Sequence, residues 1–157
     1  MARLRAAPAR SPVPPSRVIV TDQPESIGQV FEELARLASR HRVPVRVRRE
    51  VQVALEEVLS NVGRHGRRGG RLPKVTVEKV VEQGVLVVEV SDDGPAFDPL
   101  AVPDPRVDLP VTDRPIGGLG IYLVKRLVDA VTYQRRGRSN LLVMRKAIPT
   151  TSRTRCD

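Results

Sequence analysis

Aromatic side chains are nearly missing from this 157-residue chain: they make up 3% of it, and there is no Trp at all. A core must therefore come from Val, Leu, Ile and Ala. The chain also lacks the aromatic platforms, interleaved with cations, on which single-stranded nucleic acids stack. Cysteine occurs once, as Cys156, which excludes an internal disulfide and fits a reducing compartment. No apolar run approaches the ~18 residues of a membrane span. The basic N-terminus has no apolar stretch of the kind that marks a secretory signal, so a cytoplasmic location is expected. At 40% hydrophobic and 29% charged residues, the composition is that of one globular domain.

Charge of one sign is in excess. The formal net charge is +9, which invites a nucleic-acid reading, but much of the excess lies at the ends. Residues 1–17 carry Arg3, Arg5, Arg10 and Arg17 without an acid, and residues 149–157 carry Arg153 and Arg155 against Asp157. Direct nucleic-acid binding is therefore not expected, and the remaining Arg residues read as solvated surface.

Pro8, Pro12, Pro14 and Pro15 among Ala and Arg make residues 1–16 an expected disordered arm, and residues 149–157 an expected flexible basic tail. Between them, residues 17–148 read as a single domain. A short strand is expected at 17–21. Pro24 can open a helix whose apolar positions Ile27, Val30, Phe31, Leu34, Leu37 and Ala38 recur at three and four residues, to about His41. Pro44 opens a second helix, with Val47, Val51, Leu55, Val58 and Val62 on one stripe, ending in Gly66, Gly69 and Gly70. Residues 74–81 and 85–90 read as strands joined at Gln83-Gly84, the second one apolar enough to be central. Prolines crowd the stretch from Pro95 to Pro115, which predicts a long loop, and such loops in compact domains are functional or disordered. A third helix is predicted over 120–131, then a hairpin of strands 132–136 and 141–146 across 137–140. The order β-α-α-β-β-loop-α-β-β predicts an α+β, two-layer sandwich: a mixed, mostly antiparallel sheet with helices on one face.

Three segments carry chemistry. Glu57, Asn61 and His65 are spaced by four on the second helix, so they share a face beside the apolar stripe, at the edge of the core. An Asn offers a neutral oxygen suited to Mg²⁺, and a Glu can position or deprotonate a hydroxyl. Glu56 is a rival, about 100° away round the helix; Glu57 alone is in line with Asn61 and His65. His65 can be a cap, a core-edge histidine or a phosphate contact, and a place at the site's edge suits it better than catalysis. Asp92-Asp93-Gly94 follows an apolar strand, where a carboxylate can accept from a purine amino group and Gly94 allows close approach. Gly117-Gly118-Leu119-Gly120 leads into the third helix, exposing backbone N–H groups to phosphate. No Gly-Lys-Ser/Thr follows, so this is no P-loop, and no G-x-G-x-x-G follows a strand. Each segment taken alone is common: a solvated helix face, an Asp-Gly turn, a glycine-rich turn. Their combination in this order is what points to a nucleotide and a divalent metal.

The segments ALEEVLSNVGRHG, VSDDGPAFDP and GGLGIYLVKRLVD, with the ending GRSNLLVMRK, resemble the N box, the two glycine boxes and the last strand of the GHKL (Bergerat-fold) ATPases. Over residues 17–148 the chain most resembles their small branch of anti-sigma-factor serine/threonine kinases, of RsbW type. The resemblance implies ATP and Mg²⁺, with Glu57 as base, Asn61 as metal ligand and Asp92 as adenine contact. It implies that Gly94 shapes the adenine pocket, that Gly118 and Gly120, within the segment Gly117-Gly118-Leu119-Gly120, meet the phosphates, and that residues 99–116 form a lid. Related kinases place an arginine in the lid; here Arg114 and Arg106 are both open. The implied function is ATP-dependent phosphorylation of a STAS-type anti-sigma antagonist, combined with sequestration of a sigma factor, by a homodimer.

Two other readings compete. The fold can hold ATP as a non-catalytic module that regulates a partner stoichiometrically, although such a site has no need of Glu57. A histidine kinase's ATP-binding domain would need a phospho-accepting helix, for which no room is expected before residue 17; His41 and His65 both fall inside the domain. Arg36, Arg40 and Arg42 beside the first helix's apolar stripe suit either a partner surface with acidic residues or plain solvation.

Overall fold

The structure, a computed structural model, describes residues 15–21, 24–67, 69–105 and 118–150. Most of the expected arm and tail lies outside these residues, as do positions 106–117 of the long loop, with Arg106, Arg114 and Gly117. The elements are β1 (Ser16–Val20), α1 (Pro24–Arg40), α2 (Val45–His65), β2 (Val75–Glu82), β3 (Val85–Asp92), a 3-10 turn (Pro99–Ala101), α3 (Leu119–Leu127), β4 (Ala130–Arg136) and β5 (Ser139–Ala147). The strands form one sheet in the order β1-β2-β3-β5-β4. Every pairing among the described residues is antiparallel, so the mixture of directions allowed by the sequence does not occur among them.

Strand periodicity places the core. One row across the sheet runs Val18–Val77–Val90–Leu142, and the next runs Ser16–Lys79–Val88–Met144. Apart from Ser16 and Lys79, these side chains pack with Val30, Leu34 and Leu37 of α1, Val51, Ala54, Leu55 and Val58 of α2, and Ile121 and Val124 of α3 in one apolar cluster. Helices on one face of an antiparallel sheet make the expected two-layer α+β fold. The β2–β3 turn falls on Gln83 and Gly84, at φ 49° and 77°, the left-handed pair that a two-residue hairpin needs.

Arg36 pairs with Glu32 and Glu33 of its own helix. Two expectations shift. Ile27, placed by its spacing on the buried stripe of α1, is 42% exposed. Helix α3 ends at Leu127, four residues before the expected Val131. The Val128 N–H makes the last helical bond, to Val124 O at 3.1 Å, and the Asp129 N–H already donates to Arg145 O of β5 at 2.9 Å. Lys146 stops the helix: its Nζ donates to Leu127 O at 2.8 Å and lies 2.9 Å from Glu50 Oε2 of α2. A cation at a helix C-terminus also suits the helix dipole. This cluster holds Glu50 below the usual carboxylate range, through hydrogen bonds from Arg46 and Lys146.

Candidate nucleotide site

Extending the rows to the end of the sheet builds the site. The next helix-facing row is Val20–Val75–Asp92–Asn140–Arg135. Asp92 is thus the last residue of β3, rather than the first after it, and it occupies a position that the alternation otherwise gives to Val88 and Val90. It is buried, as is Asn140. Burial requires partners, and Asp92 Oδ1 accepts from the Gly94 N–H and from Asn140 Nδ2, both at 2.9 Å.

The turn after β3 is pressed onto the end of α2. A Cβ on Gly94 would lie 2.8 Å from Asp92 Oδ1 and 3.1 Å from both Cα and O of Gly66. Two backbones meet there at a distance that only glycine allows. Asp98 then caps the 3-10 turn, accepting from the Leu100 N–H at 2.9 Å.

Helix α2 contributes its polar face as expected. Asn61 and His65 line a narrow cavity of about 30 Å³ with Val58, Asp92, Phe97 and Ile121. Asn61 is half-buried, and its amide makes no hydrogen bond with any described residue. The ring of His65 stacks on Phe97, with centroids 4.4 Å apart and planes 13° from parallel, and both side chains line the cavity. Glu57 is half-buried and points at the start of α3, where its carboxylate fills the place a side chain on Gly120 would take: a Cβ there would lie 3.3 Å from Glu57 Cδ and collide with Oε2. Among the described residues no cation or donor engages that carboxylate. Glu56 faces elsewhere. It accepts from Gln52 at 3.1 Å and lines a separate groove of about 900 Å³ bordered by Ile27, Phe31, Arg71 and Arg138.

Gly118 caps α3 in the left-handed conformation, φ 82°, which favours glycine. Leu119 begins the helix and is 59% exposed. Gly117 lies outside the described residues. The structure therefore brings Glu57, Asn61, His65, Asp92, Gly94 and the Gly118–Gly120 turn around one end of the sheet. Sequence reasoning missed Asn140, Tyr133, Arg135 and Phe97. The expected turn at 137–140 includes Asn140, whereas period two counted back from Leu142 and Met144 puts it on the inward face of β5.

Among the described residues no group of three His, Cys, Asp or Glu side chains could hold a metal alone. A cation here would draw on Asn61 and otherwise on phosphate and water oxygens, which is the way Mg²⁺ is usually held. The residues present thus fit Mg²⁺ with a nucleotide. Among the described residues no helix is long and apolar enough to cross a membrane.

Comparison with known proteins places the fold and the family. Residues 20–146 match the family described as the histidine kinase-like ATPase domain. The serine-protein kinase RsbW of Listeria monocytogenes is 30% identical over 113 residues, covering 69% of this chain and 72% of that one. RsbW of Bacillus subtilis is 29% identical over 122 residues, covering 73% and 74%. The serine/threonine-protein kinase BtrW of Bordetella bronchiseptica is 26% identical over 111 residues, covering 71% and 78%. The crystal structure of the RsbU and RsbW domains of Rv1364c from Mycobacterium tuberculosis superposes with a TM-score of 0.63 at 14% identity. That likeness concerns the fold, over 92% of this chain and 35% of the other. The chain belongs to the histidine kinase-like ATPase domain family, in the branch of the RsbW-type serine-protein kinases.

Proposed function

We propose that this protein is an ATP-dependent serine/threonine kinase that acts as a cytoplasmic, homodimeric anti-sigma factor, phosphorylating a STAS-type antagonist and sequestering a sigma factor. The observation that carries the reading is that Asn61, His65 and Asp92 line one cavity with Ile121 of α3, while Glu57, one turn before Asn61, packs against Gly120 at the start of that helix. The family and the names of the relatives support ATP use and serine phosphorylation; the partners follow from the resemblance.

Bound Mg-ATP supplies the transferable phosphoryl group and the cation that neutralises its charge. The chain's own groups divide the remaining work. Asn61 Oδ1 would hold the metal. The free N–H groups at the start of α3 bind phosphate, helped by the helix dipole. Asp92 accepts from the purine amino group, inside an apolar pocket of Val58, Val90, Ile121 and Leu142. Glu57 takes the proton of the acceptor hydroxyl, the positioning and base work that phosphoryl transfer asks of a protein.

The test is calorimetry of ATP with and without Mg²⁺ on wild type and Asn61→Ala, followed by a search for phosphate on a purified STAS-type protein. The variant is expected to keep its melting temperature and lose the Mg²⁺-dependent part of ATP binding. Wild-type-like Mg-ATP binding would show the metal assignment to be wrong. Binding without any transfer would favour the non-catalytic regulatory module.

A further inference from the structure

The hydrogen bonds around Asp92 form two tiers. In the first, Asn140 Nδ2 donates to Asp92 Oδ1 and to Pro95 O, each at 2.9 Å. In the second, Tyr133 Oη donates to Asn140 Oδ1 at 2.8 Å, and Arg135 Nη1 donates to the same oxygen at 2.9 Å. Arg135 Nη1 also reaches Gly94 O at 3.0 Å, so it ties the turn to the same tier.

This arrangement leaves the Asn140 amide one orientation. Its oxygen faces two donors and its nitrogen faces two acceptors. A flipped amide would set an oxygen against Asp92 and an NH₂ against Tyr133 and Arg135. Asp92 Oδ1 is in turn occupied by two N–H groups, and among the described residues no donor reaches Oδ2. The carboxylate therefore cannot swing without breaking both bonds, and it offers a single acceptor-only oxygen.

We propose that Asn140, fixed by Tyr133 and Arg135, is a positioning residue that makes the pocket select a 6-aminopurine over a 6-oxopurine. This rests on the reading of the cavity as the nucleotide site. An amino N–H meets the free oxygen as a donor meets an acceptor. A 6-oxo group in the same place sets oxygen against oxygen, and rejection follows from the unpaired buried polar atoms. Both Asn140 amide protons are already used, so Asn140 acts through Asp92 and not on the base.

The test compares dissociation constants for ATP, ITP and inorganic tripolyphosphate in the full chain, for wild type, Asn140→Leu and Tyr133→Phe. Wild type is expected to prefer ATP over ITP by about 10²-fold or more. Asn140→Leu should cut that ratio at least about tenfold, with tripolyphosphate unchanged. Tyr133→Phe removes one hydrogen bond and should cut it about fivefold; this variant carries the test if Asn140→Leu does not fold. Equal weakening of ATP and ITP, which a merely structural role would give, overturns the proposal, as does an unchanged ratio in both variants. A wild type that binds ATP and ITP alike overturns it while leaving the nucleotide site standing. A wild type that binds neither, even with Mg²⁺, sinks the site reading and this proposal with it.

Discussion

Glu57→Gln is expected to lower phosphoryl transfer by about 10²- to 10⁴-fold, the range that a positioned general base contributes, while ATP affinity stays close to wild type. The substitution keeps the shape of the side chain, so the amide can lie where the carboxylate now packs against Gly120. What it removes is basicity. No described cation or donor engages the Glu57 carboxylate, so the change leaves no partner group stranded. Single-turnover transfer to a purified protein acceptor and calorimetric ATP binding together read the two effects. Undiminished transfer would mean that no base is needed, because Glu56 looks into the other groove and is engaged by Gln52. Gly120→Ala approaches the same group from the opposite side. Its Cβ would occupy the space of Glu57 Oε2, and a reacting group displaced by about 1 Å costs on the order of 10²-fold in rate. Transfer lost in Gly120→Ala with phosphate binding retained would tie the effect to Glu57 rather than to the phosphate cradle.

The parts of this fold that were legible in the sequence are those decided locally. Pro24 and Pro44 mark helix starts, the apolar spacing of Val30, Leu34 and Leu37 marks a buried face, and Gly84 marks a hairpin. The polar face of α2 was legible because the spacing of four is itself geometry. Where α3 ends was not legible. Val128, Ala130 and Val131 satisfy helix and strand patterns alike, and the choice is made by Arg145 and Lys146, which come from a strand later in the chain. Asn140 was obscured by its residue type, since an Asn closing the run Gly137-Arg138-Ser139 reads as a turn. Its place on β5 follows from pairing with Asp92. The meeting of Glu57 with Gly120, and of Gly66 with Gly94, joins segments far apart in sequence. No local pattern announces such contacts, only the motif combination that the family resemblance supplied.

Lys79→Met is expected to stabilise the protein at pH 7 by about 3 kcal/mol more than it does above pH 10.5. Lys79 sits on β2 in the helix-facing row with Ser16, Val88 and Met144, fully buried, and its Nζ has no hydrogen-bond partner among the described residues. Burial pushes its pKa down from 10.5 to about 8, against the opposing pull of Glu33. A base whose folded-state pKa lies below its unfolded value binds more protons unfolded than folded between the two values, so stability rises with pH through that window, from about 8 to 10.5. Below about pH 8 the whole cost of the buried ammonium is present, and the difference in pKa converts to about 3 kcal/mol. Met keeps the unbranched stem, needs no partner and fills irregular apolar space. At roughly 2–4 °C per kcal/mol for a domain of this size, the gain in melting temperature at pH 7 should exceed that above pH 10.5 by about 6–12 °C. Melting curves for both proteins between pH 7 and 10.5 should converge as wild-type Lys79 loses its proton. A gain that stayed the same at every pH would show that packing, and not the buried charge, separates the two proteins. A loss at pH 7 would mean that Glu33 stabilises the ammonium by more than burial costs it.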